Sequence, residues 1–167
     1  MVEGVALNWF WKLMATLPGF LLRWWYPREA LARHIRIDVR PRHAPVQING
    51  GDVSEATIWL QIQNTGPFFV ELDRMTVQLN LAGYPLDYYM LDRTPVPPAT
   101  TTEVYVRGPI PHGVIKHYAL NIKNGDIVSL QVRAEFNSKV HDFTVRTETL
   151  SGIQPRNLNI PNLVSAA

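Results

Sequence analysis

The histidines are the first residues to consider for chemistry, because an imidazole can ligate a metal or act as a general base. The five are His34, His43, His112, His117 and His141. No pair has the His-x-x-x-His spacing of a helical zinc site, although His112 and His117 are close in sequence. His112 and His117 would suit a loop-borne metal site or a catalytic role, but unligated imidazoles on the surface explain their spacing better. We predict no metal site and no catalytic residue.

The other polar residues give no stronger sign of catalysis. Asp87 and Asp92 flank two tyrosines, but alternation in a strand places them on opposite faces, so no carboxylate pair is indicated. Gly50-Gly51 and Gly83 fit turns, because no helix start follows them as a phosphate loop requires. The absence of cysteine excludes thiolate catalysis and disulfides. We predict that the protein is not an enzyme and that it has no cofactor, nucleic-acid partner or small-molecule substrate.

Four tyrosines occur near the middle of the predicted sheet region. Tyr84, Tyr88, Tyr89 and Tyr105 are compatible with an aromatic patch on the surface. Half-buried positions in a sheet explain them equally well, because tyrosine favours such positions.

The segment from Ala6 to Tyr26 contains four of the five tryptophans and resembles nothing later in the chain. At 100° per residue, a broad aromatic stripe lies opposite a narrow polar one. This pattern is typical of a helix in the membrane interface, with tryptophans at headgroup depth and cationic side chains reaching water. The residues predicted to contact the membrane are Leu7, Trp9, Phe10, Trp11, Lys12, Met14, Leu17, Phe20, Leu21, Arg23, Trp24 and Trp25.

Three arrangements of this segment stay open. It can lie flat or dip into the interface as a bent helix, cross the bilayer as a tilted span, or pack on its own domain or a partner. Its length suffices for crossing, since roughly 20 residues span a bilayer. Lys12 near the middle costs roughly 3 kcal/mol on insertion, and Pro18 removes a backbone hydrogen bond and bends the helix. We therefore favour the interfacial arrangement.

Positive charge is concentrated near the start of the chain. Residues 1–45 carry seven Lys and Arg against three acidic residues, whereas the remainder carries nine against eleven. Arginines directly after an apolar segment favour anionic headgroups and retention in the cytoplasm. The start of the chain has Glu3, no preceding cation and no small-x-small cleavage site, so a signal peptide is not expected. We predict location at the inner membrane with the following domain on the cytoplasmic side.

From His34 onward the hydrophobic period changes to two. The clearest example is Thr57–Asn64, in which Ile58, Leu60 and Ile62 alternate with polar or aromatic residues. Turn residues recur every 8–12 positions, as in antiparallel sandwiches. We predict a mainly β chain: a membrane-contacting helical segment (1–33), an antiparallel immunoglobulin-like β-sandwich (34–150) and an extended tail (151–167). The predicted core is Ile58, Leu60, Ile62, Val77, Leu79, Leu130, Val132 and Phe136.

The tail has no period and contains two prolines. Its apolar residues are too numerous for a fully solvated terminus, and an extended segment on a partner or on the sandwich surface fits them. A frayed terminus is the alternative. The tail residues predicted to bind a partner are Ile153, Leu158, Ile160, Leu163 and Val164.

Three pieces of the sheet region resemble a known domain: IWLQIQNTGPFFVEL, MTVQLNLAGYPL and VPPATTTEVYV. This part is similar to the water-stress-hypersensitivity (WHy) domain, the type-2 late-embryogenesis-abundant β-sandwich. Asn64 with Pro67-Phe68 resembles the Asn-Pro turn of that family, with residues inserted between them. The resemblance implies a non-enzymatic, often membrane-tethered module.

Two classes of function are compatible with these observations. In the first, the protein is a non-catalytic accessory or scaffold subunit of a membrane complex, with membrane lipids and other subunits as partners. In the second, it is a free-standing, membrane-tethered stress-protection or lipid-binding module. Apolar residues outside the sandwich pattern at both ends of the chain favour the first class, because such residues need a partner or lipid to cover them.

Overall fold

The computed structural model describes residues 22–23, 26–122 and 128–160. Apolar and polar residues alternate with period two through most of this part, and this pattern favours strands. The helices are α1 (Arg28–Arg33) and α2 (His112–Asn121). The strands are β1 (Ile35–Val39), β2 (Val46–Asn49), β3 (Glu55–Asn64), β4 (Val70–Leu81), β5 (Tyr84–Met90), β6 (Thr94–Val96), β7 (Thr100–Pro109), β8 (Val128–Ser138), β9 (Phe143–Arg146) and β10 (Arg156–Leu158).

The first sheet is built around β3. Strand β7 pairs antiparallel along the whole of β3, from Glu55 opposite Pro109 to Asn64 opposite Thr100. Strands β1 and β2 share the other edge of β3, since β1 pairs with its second half and β2 with its first half. Strand β10 adds in parallel to β2. The outer edge of this sheet is therefore the ten-residue strand β7.

The second sheet is built around β4. Strand β8 pairs with β4 along its length, with a bulge between Leu72 and Arg74. Strands β5 and β6 divide the opposite edge of β4 between them. Strand β9 closes the far side by pairing with β8. Strands β5 and β6 contact β7 of the first sheet, so the two sheets meet along this edge.

The two sheets share one hydrophobic core. Burial alternates along β3, β4 and β8, as expected for sheets with one buried face. All eight predicted core residues are at most 2% exposed, so the strand phasing is confirmed. The mainly β prediction is also confirmed, and two antiparallel-rich sheets on one core form a β-sandwich-like fold.

Three short elements complete the sheets and the core. The proline-rich segment Thr94–Thr101 contains the short strand β6. Strand β2 is an interior strand, because β10 covers its outer side. The helix α2 buries Ile115, Tyr118 and Ala119.

Most of the predicted membrane segment lies outside the described residues. This concerns its helical conformation and the predicted contact residues Leu7, Trp9, Phe10, Trp11, Lys12, Met14, Leu17, Phe20, Leu21, Trp24 and Trp25. The tail residues Leu163 and Val164 also lie outside them. Within residues 22–23, 26–122 and 128–160, no helix combines the length and apolar character that a membrane crossing requires.

Candidate functional site

The end of the sandwich where β3 stops and β4 begins has an unusual composition. Residues 65–70 (TGPFFV) and 94–102 (TPVPPATTT) contain no charged side chain, although 18% of the whole chain is charged. We call these two stretches the uncharged tip. Phe69 is 51% exposed there, and Pro97 and Pro98 are also exposed. Pro67, Phe69 and Pro98 border one groove, and contiguous exposed apolar patches mark surfaces that meet lipid or a partner.

Asn64 joins the two stretches of the uncharged tip. Its side-chain Nδ2 donates to the carbonyl oxygen of Phe68 at 2.8 Å and to that of Val96 at 3.0 Å. Its Oδ1 accepts from the backbone N–H of Gly66 at 2.9 Å. Asn64 is only 1% exposed and is the single polar residue classed as buried in the described part of the chain. Because its hydrogen bonds satisfy backbone groups of both turns, it fixes their relative position.

The N-terminal segment enters the domain at the uncharged tip. Leu22 is fully buried, and Arg23 donates from Nε to the carbonyl oxygen of Val140 at 3.1 Å. The ring of Tyr26 stands edge-on to Phe68, with centroids 4.9 Å apart. The chain then turns into α1, whose Leu31 is buried. The prediction that Arg23 contacts the membrane is untested, and its side chain is exposed while it makes this bond.

An apolar groove opens beside this entry point. Its volume is about 440 Å³, and its walls include Leu22, Pro67, Phe69 and Pro98. Glu71 and Lys139 also line it, so charge is present at its rim. Arg93 lies 3.7 Å from the Glu71 carboxylate, which partly balances that negative charge. The groove lies at the end of the sandwich and not between the sheets.

A second exposed surface runs along the edge where β5 meets β7. Tyr89, Leu91 and Tyr105 are 67%, 74% and 64% exposed, and the two tyrosines line a cleft of about 380 Å³. Arg107 beside this cleft donates from Nε to Glu55 Oε2 at 2.7 Å. The hydrogen bond from Arg107 lowers the pKa of the Glu55 carboxyl. We call this surface the tyrosine edge.

Tyr84, Tyr88, Tyr89 and Tyr105 therefore have different roles. Tyr89 and Tyr105 form an exposed aromatic patch, which was one of the two interpretations of these tyrosines. Tyr88 is buried, its hydroxyl donates to the Pro109 carbonyl oxygen at 3.2 Å, and burial raises its pKa to about 12. Tyr84 stacks edge-on against His117 with centroids 5.0 Å apart.

The structure does not bring His112 and His117 into a group of metal ligands. His117 contacts Tyr84 and lies within 3.3 Å of the Asn121 Nδ2, and both contacts belong to packing around α2. In the part of the chain that the structure describes, no group of three or more His, Asp or Glu is arranged to hold a metal ion.

Residues 151–160, the described part of the tail, pack onto the domain. Ile153 is 6% exposed and belongs to the shared core. Asn157 accepts a hydrogen bond from the Tyr118 hydroxyl at 2.8 Å, and the Leu158 carbonyl accepts one from the Gly50 N–H at 2.9 Å. Ile160 is half-buried against the same core. The expectation that Ile153 binds a partner is thereby corrected, because its apolar surface is already covered. Leu158 and Ile160 are half-buried, so only part of their apolar surface stays exposed.

Comparisons with solved structures give matches at low sequence identity, with the TM-scores stated below. No family model and no curated protein matches the chain. A Bordetella pertussis protein assigned as ApaA is 12% identical with a TM-score of 0.49, over 73% of this chain and 94% of that one. An Arabidopsis thaliana protein solved in solution is 10% identical with a TM-score of 0.46, over 75% and 85%. A protein assigned as late embryogenesis abundant is 13% identical with a TM-score of 0.43, over 90% and 84%.

Proposed function

We propose that this chain is a non-catalytic accessory subunit of a membrane complex. In this proposal its N-terminal segment contacts lipid while its sandwich binds other subunits. The observation that carries this proposal is the attachment of that segment to one end of the domain. Leu22 is buried beside the uncharged tip and Tyr26 packs on Phe68 of the tip, while Arg23 bonds the neighbouring Val140 carbonyl. Because these contacts hold the start of the domain firmly, a segment bound to lipid would place the sandwich directly at the bilayer surface.

The tyrosine edge is the surface that we assign to partner subunits. Tyrosine is enriched at protein interfaces, since it buries a large ring and keeps a hydroxyl for hydrogen bonding. Tyr89, Leu91 and Tyr105 are each more than half exposed. Leu158 and Ile160 of the tail, with Leu163 and Val164 beyond them, complete the proposed contact residues. This assignment moves the main partner surface from the tail to the sandwich.

The proposal also covers location and fold type. The cationic residues after the aromatic segment favour the cytoplasmic side of an inner membrane. The hydrogen bonds of Asn64 to Gly66 and Phe68 support the resemblance of this turn to that of the WHy domain. An immunoglobulin-like sandwich of that type is accordingly the fold that we propose.

A second function is a free-standing, membrane-tethered lipid-binding or stress-protection module. Two observations favour it. Ile153 and Ile160 of the tail pack on the core of the domain itself, and the groove beside Leu22 is lined mainly by apolar residues. Extraction in mild detergent distinguishes the two functions. A stoichiometric complex after size-exclusion chromatography supports the accessory subunit, whereas a monomer carrying bound lipid supports the free-standing module.

Membrane association itself is tested by co-sedimentation of the full chain with anionic vesicles. The test variant replaces Trp9, Trp11, Trp24 and Trp25 with serine, and the matched control is Trp59→Tyr in strand β3. We expect the full chain and the control to sediment after a high-salt wash and the test variant to stay in solution. Release of the full chain by salt would mean electrostatic attraction alone, and absence of sedimentation would overturn the proposal.

A further inference from the structure

We infer that the uncharged tip is itself a second membrane contact, with Phe69 entering the lipid interface beside the N-terminal segment. This inference rests on the proposed membrane association and adds an orientation to it: the sandwich stands end-on, with β4 running away from the bilayer.

Position is the first argument. Phe69 and Leu22 line the same groove, and Tyr26 packs on Phe68, the neighbour of Phe69. Leu22 and the uncharged tip therefore lie at the same end of the domain. Under the proposed membrane association, lipid contacted directly before Leu22 would be within reach of Phe69.

Chemistry is the second argument. A loop enters a lipid interface at low cost only where it carries no charged side chain, because bringing a charged side chain into hydrocarbon is expensive. The uncharged tip fulfils this condition over both of its turns. Its backbone carbonyls at Phe68 and Val96 already accept hydrogen bonds from Asn64, which lowers the cost of removing water from them.

The surroundings of the uncharged tip are the third argument. Arg23 is exposed beside the groove, and Lys139 lines its rim, so positive charges flank the apolar surface. Aromatic and apolar residues ringed by Arg and Lys match the anionic headgroup region of a bilayer. Glu71 opposes this pattern, but Arg93 lies beside it.

The absence of cysteine makes a direct test possible, because a single introduced thiol is the only labelling site. The test variant is Phe69→Cys with a nitroxide label in the full chain. The control is Tyr84→Cys. Tyr84 is 46% exposed and lies beside the far end of β4. A strand of 12 residues spans roughly 40 Å, so the control label stays in water when the tip touches lipid.

Both labelled proteins are mixed with vesicles of equal parts phosphatidylcholine and phosphatidylglycerol, and sedimentation is recorded on the same samples. We expect the label at position 69 to lose access to an aqueous nickel chelate and gain access to oxygen, while the label at 84 is unchanged. Sedimentation with a solvent-exposed label at 69 would overturn this inference and leave the proposed function intact. Absence of sedimentation would overturn both.

Two further measurements complete the test. If the label at 69 is shielded before vesicles are added, the protein itself covers the groove, and the inference is wrong. Phe69→Ala should weaken vesicle binding by roughly three- to tenfold, as loss of half a buried phenyl group would. Pro98→Cys gives a second label at the tip should Phe69→Cys fail to fold, as judged by circular dichroism.

Discussion

Asn64 and Val96 are 32 residues apart in sequence, and a hydrogen bond of 3.0 Å joins the side chain of the first to the carbonyl oxygen of the second. Asn64 ends β3 and Val96 ends β6, so this bond connects the two sheets at the uncharged tip. A buried amide with its donors and acceptor all used is a strong positional constraint. The tip is therefore a defined surface and not a pair of independent loops.

Asn64→Ala should destabilise the domain by about 2–4 kcal/mol, because it leaves two carbonyls and one N–H of the tip without their partner. Urea unfolding measures this change. Asn64→Asp should be worse at neutral pH, since a carboxylate accepts from Gly66 but repels both carbonyls. The control is Gln63→Ala, an exposed neighbour whose loss should stay within about 0.5 kcal/mol. Equal stability of Asn64→Ala and the control would contradict the role of Asn64.

Gly108→Ala should be destabilising for a steric reason. An added Cβ at this position would overlap the ring of Tyr88, which packs from the second sheet against β7. Overpacking of this kind costs about 1–3 kcal/mol. Gly113→Ala is the control, because nothing lies within 4 Å of an added Cβ there. Thermal melting compares the two variants.

A double-mutant cycle identifies the cause of the Gly108 effect. In a Tyr88→Leu background the obstructing ring is gone, so Gly108→Ala should cost much less than in the wild type. An unchanged cost in that background would mean that the backbone conformation at Gly108 is responsible and the contact with Tyr88 is not.

The strands and the core were predictable because their signal is local. In Thr57–Asn64 the alternation of residue types indicates which face of the strand is buried. Ile58, Leu60 and Ile62 are all fully buried, as that pattern predicts. Strand β10 escaped prediction because it has three residues and pairs in parallel with β2, more than 100 residues earlier. No local period signals such a contact.

The uncharged tip was only partly visible in the sequence. Its prolines and the turn after Asn64 were evident, but the meeting of residues 65–70 with 94–102 depends on the hydrogen bonds of one buried amide. The tail shows the opposite error. Ile153 has the composition of an interface residue, yet it packs in the core, because apolar content does not distinguish an external partner from the domain itself.

Stability should fall at alkaline pH because of Tyr88. Burial raises its pKa to about 12, against 10.0 for a free phenol. Below pH 10 both the folded and unfolded states hold the proton; between 10 and 12 only the unfolded state loses it, so stability decreases as pH rises through this window. Urea unfolding at several pH values measures the slope.

Tyr88→Phe should reduce this alkaline slope, since it removes the titrating group. At neutral pH the variant should lose only the hydrogen bond to Pro109, about 1 kcal/mol. Some slope should persist, because burial also raises the pKa of Tyr118. An identical slope in the variant and the wild type would show that Tyr88 does not contribute to the pH dependence.

Removal of residues 151–167 should lower the melting temperature, because it uncovers the core at Ile153 and takes β10 from the edge of β2. It also leaves the Tyr118 hydroxyl and the Gly50 N–H without their partners. Ile153→Ala alone should cost about 2–4 kcal/mol by opening a cavity, whereas Gln154→Ala, at an exposed neighbour, should be nearly neutral. A truncated chain that melts like the full one would show that the tail does not stabilise the domain. Its apolar residues would then again be candidates for an external partner.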